Sequence, residues 1–353
     1  MCGMNSTMSS SKQDYLFWIS VTHFVPQVGF VSSMLFGGIL LFLTGYGASK
    51  NFGSYKYLLS AFTLLGMVFA AVELVVFPNV HNYRAGFLYF SFENVFGITD
   101  KRYWNLPLAA YTFFYAATIS LLSVQFIYRY WALFDHQKLK YFTGCYLLIW
   151  ISYCTFFGLQ YALGTIFFLK IDESAEMYLR DEILLRYHFN ITDLPSMALL
   201  AYDTSGGSVR WWNLMGVINI FIIVNVQYGV MIYCGWLMHS QMEDKIKNLS
   251  EDLKKLHKQF FKALVLQITA PTIILFIPIT VIISIPVFNL DISIPSGVFL
   301  CSFTLYPAMD SMIVMYVVTE YKHAAKKALT NAKKVIKDKS TSRVESLALY
   351  SIA

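Results

Sequence analysis

The sequence predicts an all-α membrane protein, built as a bundle of seven transmembrane helices. Three observations lead to this class: seven long apolar stretches, a charged fraction of only 14%, and Lys and Arg concentrated in alternate gaps between the stretches. A soluble domain carries about 25% charged residues, whereas a helix needs about 20 apolar residues to cross about 30 Å of hydrocarbon. The seven predicted spans are Phe17–Phe42, Tyr57–Phe77, Leu106–Ala132, Tyr141–Leu169, Trp212–Met238, Phe260–Val287 and Ile294–Val318.

The remaining chain is too short for a large soluble domain, because seven spans of about 25 residues use about half of its 353 residues. We expect a single seven-helix domain over 1–319. A basic amphipathic helix is predicted next to the membrane over 320–339, where small and apolar residues share one face and lysines cover the rest. A disordered tail is predicted over 340–353.

The distribution of basic residues predicts which side of the membrane each end faces. With the amino terminus outside, 19 of the 27 Lys and Arg residues lie in inner segments and 8 lie in outer ones. Cytoplasmic loops carry such an excess, so we predict an outer amino terminus and a cytoplasmic carboxyl terminus. Asn5 and Asn190 then begin outer sequons that could carry glycans, whereas Asn248 begins an inner one that stays unmodified.

Composition and motifs argue against catalysis and against nucleic-acid binding. The net charge of +6 arises from residues beside the membrane segments, which indicates membrane lipid and cytoplasmic proteins as partners and no nucleic acid. The sequence has no serine-hydrolase, zinc-protease or phosphate-loop motif, and no Cys spacing typical of a metal site. We therefore expect no enzymatic activity, no metal and no cofactor.

The inner end of the third span carries a cation between two aromatic residues, Tyr128, Arg129 and Tyr130. One interpretation is that Arg129 extends to the aqueous interface, as cations near the ends of spans commonly do. The other is that Arg129 acts as a latch, which holds the inner ends of neighbouring helices together and then releases them to a cytoplasmic partner. The residues alone leave both interpretations open.

Prolines and acids in the spans indicate candidate moving or binding parts. Pro271 and Pro278 lie in the sixth span, where each removes a helix hydrogen bond and favours a kink. The kink is either a hinge or a tolerated irregularity. The seventh span contains Pro307 and Asp310. An acid within a span is costly and is a functional candidate, so we expect Asp310 to face the bundle and Glu73 to contact either solvent or a ligand.

The third inner loop is predicted to be a helical hairpin. Apolar residues recur at steps of four and three from Met242 to Phe260, which is typical of a seam between two helices that extend the fifth and sixth spans. Lys254, Lys255 and Lys258 then face the solution and give the inner end of the sixth span a basic surface.

Three motifs, in the third, sixth and seventh spans, resemble one known family. They are Gln125–Leu133 (QFIYRYWAL), Gln259–Pro271 (QFFKALVLQITAP) and Tyr306–Asp310 (YPAMD). Together they are similar to the nematode serpentine chemoreceptors, in particular to the Str class, which includes the diacetyl odorant receptor. The resemblance extends over the whole seven-span region.

The resemblance implies a G-protein-coupled receptor for small odorants or soluble cues, located in the plasma membrane of sensory-neuron cilia. It also implies that Arg129 is the inner-end arginine of the third span, and we expect Tyr128, Tyr130 and the three lysines of the third inner loop to join it in contacting a heterotrimeric G protein. The family usually has Pro after the seventh-span acid, whereas Ser311 stands there in this chain. Tyr-Arg-Tyr replaces the Asp-Arg-Tyr of rhodopsin-like receptors, so no ionic lock is carried over.

A ligand is expected between the outer thirds of spans three, five, six and seven, where aromatic side chains are mixed with a few polar ones. That composition suits a small, weakly polar molecule held by apolar burial and one or two hydrogen bonds. The predicted wall residues are Tyr111, Phe114, Tyr115, Trp212, Asn219, Ile282 and Phe299.

A ligand-gated channel or a small-molecule transporter is the alternative function. Such proteins usually contain several intramembrane charges or inverted repeats. The sequence shows no internal repeat, and Glu73 and Asp310 are the acids within its predicted spans.

Overall fold

The computed structural model describes residues 15–46, 54–98, 100–203, 206–331 and 333. These residues are mainly helical, with a small sheet at one end of the molecule. The helices are α1 (Leu16–Tyr46), α2 (Tyr55–Val76), α3 (Leu106–Phe134), α4 (Leu147–Phe168), α5 (Glu173–Tyr187), α6 (Trp211–Ile246), α7 (Glu251–Pro271), α8 (Ile277–Val287), α9 (Gly297–Cys301) and α10 (Tyr306–Val317). The strands are β1 (Pro78–Tyr83), β2 (Gly86–Ser91), β3 (Ser196–Leu200) and β4 (Ser293–Ile294).

The described chain contains the seven predicted spans, with one division that the sequence did not indicate. Six segments are each long and apolar enough to cross a membrane: α1, α2, α3, α4 with the turn before it, α6, and Gly297–Val317, which joins α9 to α10. The sixth span in chain order consists of α7 and α8, separated by a π-helical turn at Thr272–Phe276. The predicted seven-helix architecture is confirmed.

Consecutive spans run in opposite directions, so the bundle has two ends, which we name by what they contain. The sheet end contains the four strands and α5. The arginine end contains Arg129 and the hairpin formed by α6 and α7.

The outward faces of the bundle are apolar. Large hydrophobic side chains project from α1, α4 and α6 away from the other helices, among them Phe17, Phe24, Leu35, Leu148, Phe156, Phe167, Ile222 and Trp236. Soluble proteins rarely expose contiguous apolar surface on this scale, whereas hydrocarbon covers it in a bilayer. The described chain therefore has the surface of a membrane protein.

The central helix is α3, which packs against α2, α4 and α6. A polar junction in the middle of the bundle joins three of these helices. The Gln227 side-chain oxygen on α6 accepts hydrogen bonds from Ser123 Oγ on α3 at 2.7 Å and from the Tyr153 hydroxyl on α4 at 2.8 Å. Such bonds help to hold membrane helices together, because apolar helix surfaces gain little by leaving lipid.

The sheet is antiparallel and its strand order is β3-β2-β1-β4. β1 and β2 form a hairpin in which Tyr83 pairs with Gly86, and the turn residue Arg84 has a positive φ of 49°. β3 comes from the segment between the fourth and fifth spans, and β4 precedes the seventh span. The sheet therefore joins three separate inter-helix segments at one end of the bundle.

Both faces of the sheet are buried. Leu88 and Phe90 pack against α5 on one face, whereas the intervening Tyr89 belongs to the core of the helix bundle on the other. Successive strand residues point to opposite faces, so the sheet lies between α5 and the bundle. A Cβ atom on Gly86 would lie 2.8 Å from Cδ2 of Leu179, so glycine permits the close approach of α5.

The predicted hairpin of α6 and α7 is present at the arginine end. Its seam residues Met242, Ile246, Leu256 and Phe260 are buried. Ser250 precedes α7 in an extended conformation and makes no side-chain capping bond. The hairpin is thus held by apolar packing along its seam.

A further helix covers 319–331 and packs against the same end of the bundle. The Tyr321 hydroxyl lies 3.0 Å from Thr44 Oγ1 on α1, and Thr319 Oγ1 donates to Gln259 Oε1 on α7 at 3.1 Å. Lysines on the opposite side of this helix, such as Lys322, are exposed. The predicted tail over 340–353 lies outside the described residues.

Candidate functional site

A cavity of about 80 Å³ lies directly beneath the sheet, inside the helix bundle. The sheet forms its roof through Val80, Phe87, Tyr89 and Leu199. Since the opposite face of the sheet packs against α5, two layers of protein separate the cavity from the surface of the sheet end. The cavity therefore has the position expected of a covered small-molecule site.

The helices supply the remaining walls, and these walls are mainly apolar. Aromatic rings come from α3, α4 and the 3-10 turn before α10, namely Tyr111, Tyr115, Tyr161 and Phe303. Aliphatic side chains from α6, α8 and α9 complete the lining, including Val217, Ile220, Ile279, Ile283 and Leu300.

Three of the six hydroxyl groups along the cavity donate hydrogen bonds to backbone carbonyls of the protein. Thr112 donates to the Ala109 carbonyl at 2.8 Å, and Thr165 donates to the Tyr161 carbonyl at 2.9 Å. Tyr89 donates to a backbone carbonyl of α3 at 3.1 Å. A ligand in the cavity therefore meets mostly carbon, and apolar burial dominates its binding.

The volume of the cavity limits the size of its contents. A cavity of about 150 Å³ in a protein core accommodates benzene, and one water molecule takes about 30 Å³ of liquid. At about 80 Å³, the space accommodates a molecule of a few heavy atoms without rearrangement. A larger ligand requires movement of the walls.

Two of the seven residues predicted to form the ligand wall line this cavity, Tyr111 and Tyr115. Phe114, next to them on α3, is half-buried and packs against the bundle core without lining the cavity. Ile282 is buried on α8, and its carbonyl accepts a hydrogen bond from Asn82 at 2.7 Å. Ile282 therefore joins α8 to the sheet.

The other three predicted wall residues lie away from the cavity. Trp212 is 65% exposed at the start of α6 and donates its indole N–H to the Phe167 carbonyl at 3.1 Å. Asn219 exchanges hydrogen bonds with Gln160 between α6 and α4. Phe299 is 42% exposed beside α1. Each of these side chains packs between helices or faces outward.

Sequence reasoning missed the roof of the cavity altogether. Phe87, Tyr89 and Leu199 come from segments that pattern analysis treats as loops between spans. Alternation, the usual signal of a strand, is absent because both faces of the sheet are buried and both sets of side chains are apolar. The remaining signal is the aromatic content of 83–96.

Ring contacts connect the cavity to the π-helical turn of the sixth span. Tyr115 lies 5.2 Å from Phe303 and 6.0 Å from Phe276, measured between ring centroids. Phe276 is the last residue of the π-helical turn, and Thr272, its first residue, lies 2.9 Å from the Tyr228 hydroxyl on α6. A change in the cavity therefore reaches the turn through directly packed side chains.

The prolines of the sixth span lie on either side of this turn. Pro271 ends α7, Pro278 is in the first turn of α8, and the π-helical turn occupies the residues between them. π-Helical turns are rare and are frequently found at functional sites. The interrupted hydrogen-bond pattern gives the sixth span one local point at which its two halves can change direction.

Pro307 and Asp310 are both buried within the bundle. Pro307 is in the first turn of α10, where proline is well accommodated, and a Cβ atom on Gly66 of α2 would lie 2.9 Å from its Cβ. Asp310 Oδ1 accepts a hydrogen bond from Gln267 Nε2 at 2.7 Å. Asp310 therefore faces the bundle and bonds to the sixth span.

Arg129 lies between two aromatic rings at the arginine end. Its Cζ atom is 3.4 Å from the ring centroid of Tyr55 on α2 and 3.5 Å from that of Phe260 on α7. The side chain is 9% exposed. No carboxylate lies within 4.0 Å of it among the described residues. A buried cation over an aromatic face gains about 2 kcal/mol, so the aromatic clamp of Tyr55, Arg129 and Phe260 joins three spans.

The residues on either side of Arg129 contact different neighbours. Tyr128 is buried, and its ring packs against Phe142 at 4.8 Å. Tyr130 packs against Phe134 at 4.9 Å and lies 6.4 Å from Tyr233 on α6. Tyr128 also lies 5.2 Å from Tyr55, the ring on which Arg129 stacks, so Tyr128 adjoins the clamp whereas Tyr130 packs towards α6.

The predicted basic surface is present on α7. Lys254, Lys255 and Lys258 line a shallow groove together with Gln259 and Lys262. Lys258 Nζ lies 2.7 Å from Glu243 Oε1 across the α6–α7 hairpin, although exposed pairs of this kind stabilise a fold only slightly.

His257 lies on α7 close to the clamp. Burial, together with the positive charges of Arg129 and His136, lowers the pKa of His257 to about 4. The imidazole is consequently neutral at neutral pH, and Arg129 remains the cation of the clamp.

The two sequons predicted to face outside differ in what the structure describes. Asn190 is exposed at the sheet end, and its side chain donates to Asp193 at 3.1 Å. Asn5 lies outside the described residues.

Comparison with known proteins gives consistent results. The chain matches the family described as serpentine type 7TM GPCR chemoreceptor Str over residues 22–326. It is 35% identical over 305 residues to the G-protein coupled receptor str-33 of Caenorhabditis elegans, covering 85% of this chain and 88% of that one. It is 28% identical over 330 residues to the serpentine receptor class r-10 of Caenorhabditis briggsae, covering 92% and 95%.

The solved structure of squid rhodopsin has a similar fold. The two superpose with a TM-score of 0.58 over 90% of this chain and 86% of that chain, at 11% sequence identity. The helix bundle thus has the seven-transmembrane fold of this class of receptor. Within that class, the chain belongs to the Str family of serpentine chemoreceptors.

Proposed function

We propose that this receptor binds a small odorant or soluble cue in the cavity beneath the sheet and then activates a heterotrimeric G protein at the arginine end. The single observation that carries the proposal is the aromatic path from Tyr115 at the cavity to Phe276 in the π-helical turn. This path links a covered apolar site to the most irregular point of the span that carries Phe260.

The sheet end faces the outside and the arginine end faces the cytoplasm in this proposal. The excess of Lys and Arg in the segments at the arginine end supports that orientation, as does the exposure of Asn190 at the sheet end, where a glycan can be attached. By analogy with the family, the site of action is the plasma membrane of sensory-neuron cilia.

Activation requires that the ligand bind one of two helix packings more tightly, because equal affinity for both shifts nothing. In the closed packing described here, the clamp holds α7 against α2 and α3 through Tyr55 and Phe260. When the cavity fills, Tyr115 and Phe276 repack, and α7 pivots about the π-helical turn. Phe260 then leaves Arg129, which contacts the G protein together with Tyr128, Tyr130 and the lysines of α7.

The test combines a ligand panel with substitutions at the clamp. Cells expressing the receptor and a G-protein reporter are exposed to small volatile and soluble compounds. We expect Arg129→Ala to abolish the response to an activating compound at an equal surface level. Arg129→Lys keeps the charge but loses the planar group that stacks on both rings, so we expect an intermediate response.

A matched control uses an exposed arginine, since Arg102 is at the sheet end and 85% exposed. Arg102→Ala should leave the response unchanged. An undiminished response with Arg129→Ala, at a surface level equal to that of Arg102→Ala, would show that Arg129 has no part in coupling.

A further inference from the structure

We propose that Glu73 and Tyr111 form a polar subsite behind the wall of the cavity, and that this subsite binds the ammonium group of a small alkylamine. The inference rests on the cavity being the ligand site, as proposed above. It adds a chemical class to a cavity whose lining would otherwise select only for size and apolar character.

Glu73 is an acid in the apolar interior. It lies on α2 and is 0% exposed, and neither of its carboxylate oxygens has a hydrogen-bond partner among the described residues. No Lys, Arg or His of the described chain forms an ion pair with it. An acid buried without a charged partner keeps its proton, because the ionised form would cost several kcal/mol. An amine that enters the subsite takes up this proton, and the resulting ammonium and carboxylate form an ion pair.

The groups around Glu73 are suited to a hydrogen-bonded ammonium ion. The hydroxyls of Tyr111 and Thr304 face the carboxyl. The Thr304 hydroxyl donates to the Cys301 carbonyl at 2.9 Å, which leaves its lone pairs available to accept. The Tyr111 hydroxyl is buried and has no partner in the described chain. Two carboxylate oxygens and a hydroxyl can together satisfy the three N–H donors of an alkylammonium ion.

Tyr111 separates this subsite from the cavity. Its ring lines the cavity, whereas its hydroxyl faces Glu73. Rotation of the ring about the Cα–Cβ bond would expose the carboxyl to the cavity. The hydroxyl approaches the carboxyl without a well-aligned hydrogen bond, so the rotation gives up this approach and the ring contact with Phe69, at 5.3 Å between centroids. Tyr111 is therefore placed to act as a gate.

The dimensions fit a short ligand. The cavity of about 80 Å³ accommodates an alkyl chain of about three carbons, while the ammonium group occupies the space opened by Tyr111. A neutral alcohol of equal length fills the same volume. It can exchange hydrogen bonds with the carboxyl, but it is too weak a base to take up the carboxyl proton and form an ion pair.

The experiment measures binding to the purified full-length receptor in lipid nanodiscs. The probes are n-propylamine and n-propanol, which differ in one terminal group, and dissociation constants come from the ligand-dependent shift in the thermal unfolding midpoint. We expect the wild type to bind the amine at least about 10-fold more tightly than the alcohol, since hydrogen bonds to charged groups are the stronger ones. Glu73→Gln should reduce this ratio to about one.

Three further variants make the result specific. Tyr111→Phe removes one acceptor and should lower the affinity for the amine by less than Glu73→Gln does. Glu93→Gln changes an exposed carboxyl near the same end and should leave the ratio unchanged. Glu73→Asp keeps the charge and should retain a preference for the amine, so the test stands even if Glu73→Gln does not reach the membrane.

The outcomes separate this inference from the proposed function. Equal amine and alcohol affinity in the wild type, or an unchanged ratio in Glu73→Gln, would overturn the subsite. Because the binding assay contains no G protein, a response of cells to neutral compounds without amine preference would retain the receptor function and reject the subsite. Amine-selective binding without any G-protein response would support the subsite and reject the proposed receptor function.

Discussion

The two ends of the receptor are held together by different kinds of contact. At the sheet end, directional hydrogen bonds join separate segments: Asn82 donates to the Ile282 carbonyl at 2.7 Å, and Tyr202 donates to the Val287 carbonyl at 2.6 Å. At the arginine end, stacked rings and an apolar seam form most of the contacts of the sixth span, beside two hydrogen bonds from Thr319 to Gln259. Hydrogen bonds fix one geometry, whereas rings can repack at small cost. The sheet end is accordingly the rigid part and the arginine end the part able to rearrange.

The largest loss of stability is expected from a substitution of Asn82 at the rigid sheet end. Its side chain is fully buried, donates to the Ile282 carbonyl and accepts from Ser296 Oγ at 2.9 Å. Asn82→Ala leaves the Ile282 carbonyl without this donor and Ser296 Oγ with only its 3.3 Å bond to the Ile294 carbonyl. The two losses together cost about 4 kcal/mol in the free energy of unfolding. Thermal unfolding of the purified receptor measures the loss. Asn225→Ala is the control, because exposed Asn225 bonds only within its own helix; equal losses in both would contradict a special role for the sheet end.

The next largest effect is a loss of folding stability at low pH, caused by His81 in β1. Burial lowers the pKa of His81 to about 4 despite the nearby Glu182 carboxylate, whereas an unfolded histidine titrates near 6.5. Below pH 6.5 His81 takes up a proton in the unfolded chain but stays neutral in the folded chain. The free energy of unfolding therefore falls from pH 6.5 towards pH 4, by about 3 kcal/mol in total. His81→Asn should remove this part of the slope when unfolding is followed from pH 7 to 4.5. An unaltered slope would show that His81 does not contribute.

A smaller effect, on ligand-independent activity, is expected when the clamp at the arginine end is weakened. Phe260→Leu removes one ring of the clamp but keeps an apolar side chain in the seam. We expect the closed packing to lose about 1–2 kcal/mol, which raises ligand-independent G-protein activity by about 5- to 30-fold. Reporter assays at a matched surface level measure it.

Tyr55→Phe provides the comparison for that variant, because it keeps the ring over Arg129 and loses the 3.2 Å bond to Gln125. Its basal activity should rise by less than that of Phe260→Leu. Basal activity at the wild-type level in Phe260→Leu would mean that the clamp does not restrain α7.

The smallest effect concerns the exposed ion pair of Lys258 and Glu243. Lys258→Ala should change the free energy of unfolding by less than about 0.5 kcal/mol, because water and salt screen exposed charges. Its G-protein response should fall more clearly if the basic groove contacts the partner. A large change in the unfolding midpoint would instead assign Lys258 a structural role.

The helical part of the fold could be predicted from the sequence, and the sheet could not. Membrane spans can be recognised in a sequence because lipid thickness imposes a length and a uniform apolar character on each one. The sheet pairs 86–90 with 196–200, and short strands buried on both faces have no alternating pattern. The same limit applies to the cavity: Tyr111 and Tyr115 were predicted from the third span, whereas its roof depends on pairing between distant segments.

The clamp could also be predicted only in part from the sequence. The sequence identifies Arg129 as a candidate latch, and its Tyr-Arg-Tyr motif carries over no ionic lock from rhodopsin-like receptors. Tyr55 was assigned to the loop before the second span, and Phe260 to the seam of the third inner loop. Their convergence on one guanidinium depends on how three helices cross, which no local pattern encodes.

Arg129 is held by two aromatic rings and by no carboxylate among the described residues, and this affects the resting receptor. A lock between arginine and an acid loosens when the acid takes up a proton, and a partly hydrated one weakens as ions accumulate around it. The faces of Tyr55 and Phe260 bind no proton, and the guanidinium never loses one near neutrality. If the arginine end faces the cytoplasm, as we propose, the silent state should therefore be insensitive to acidification and to changes in ionic strength there. The background signal would then stay constant while the cell's internal chemistry fluctuates.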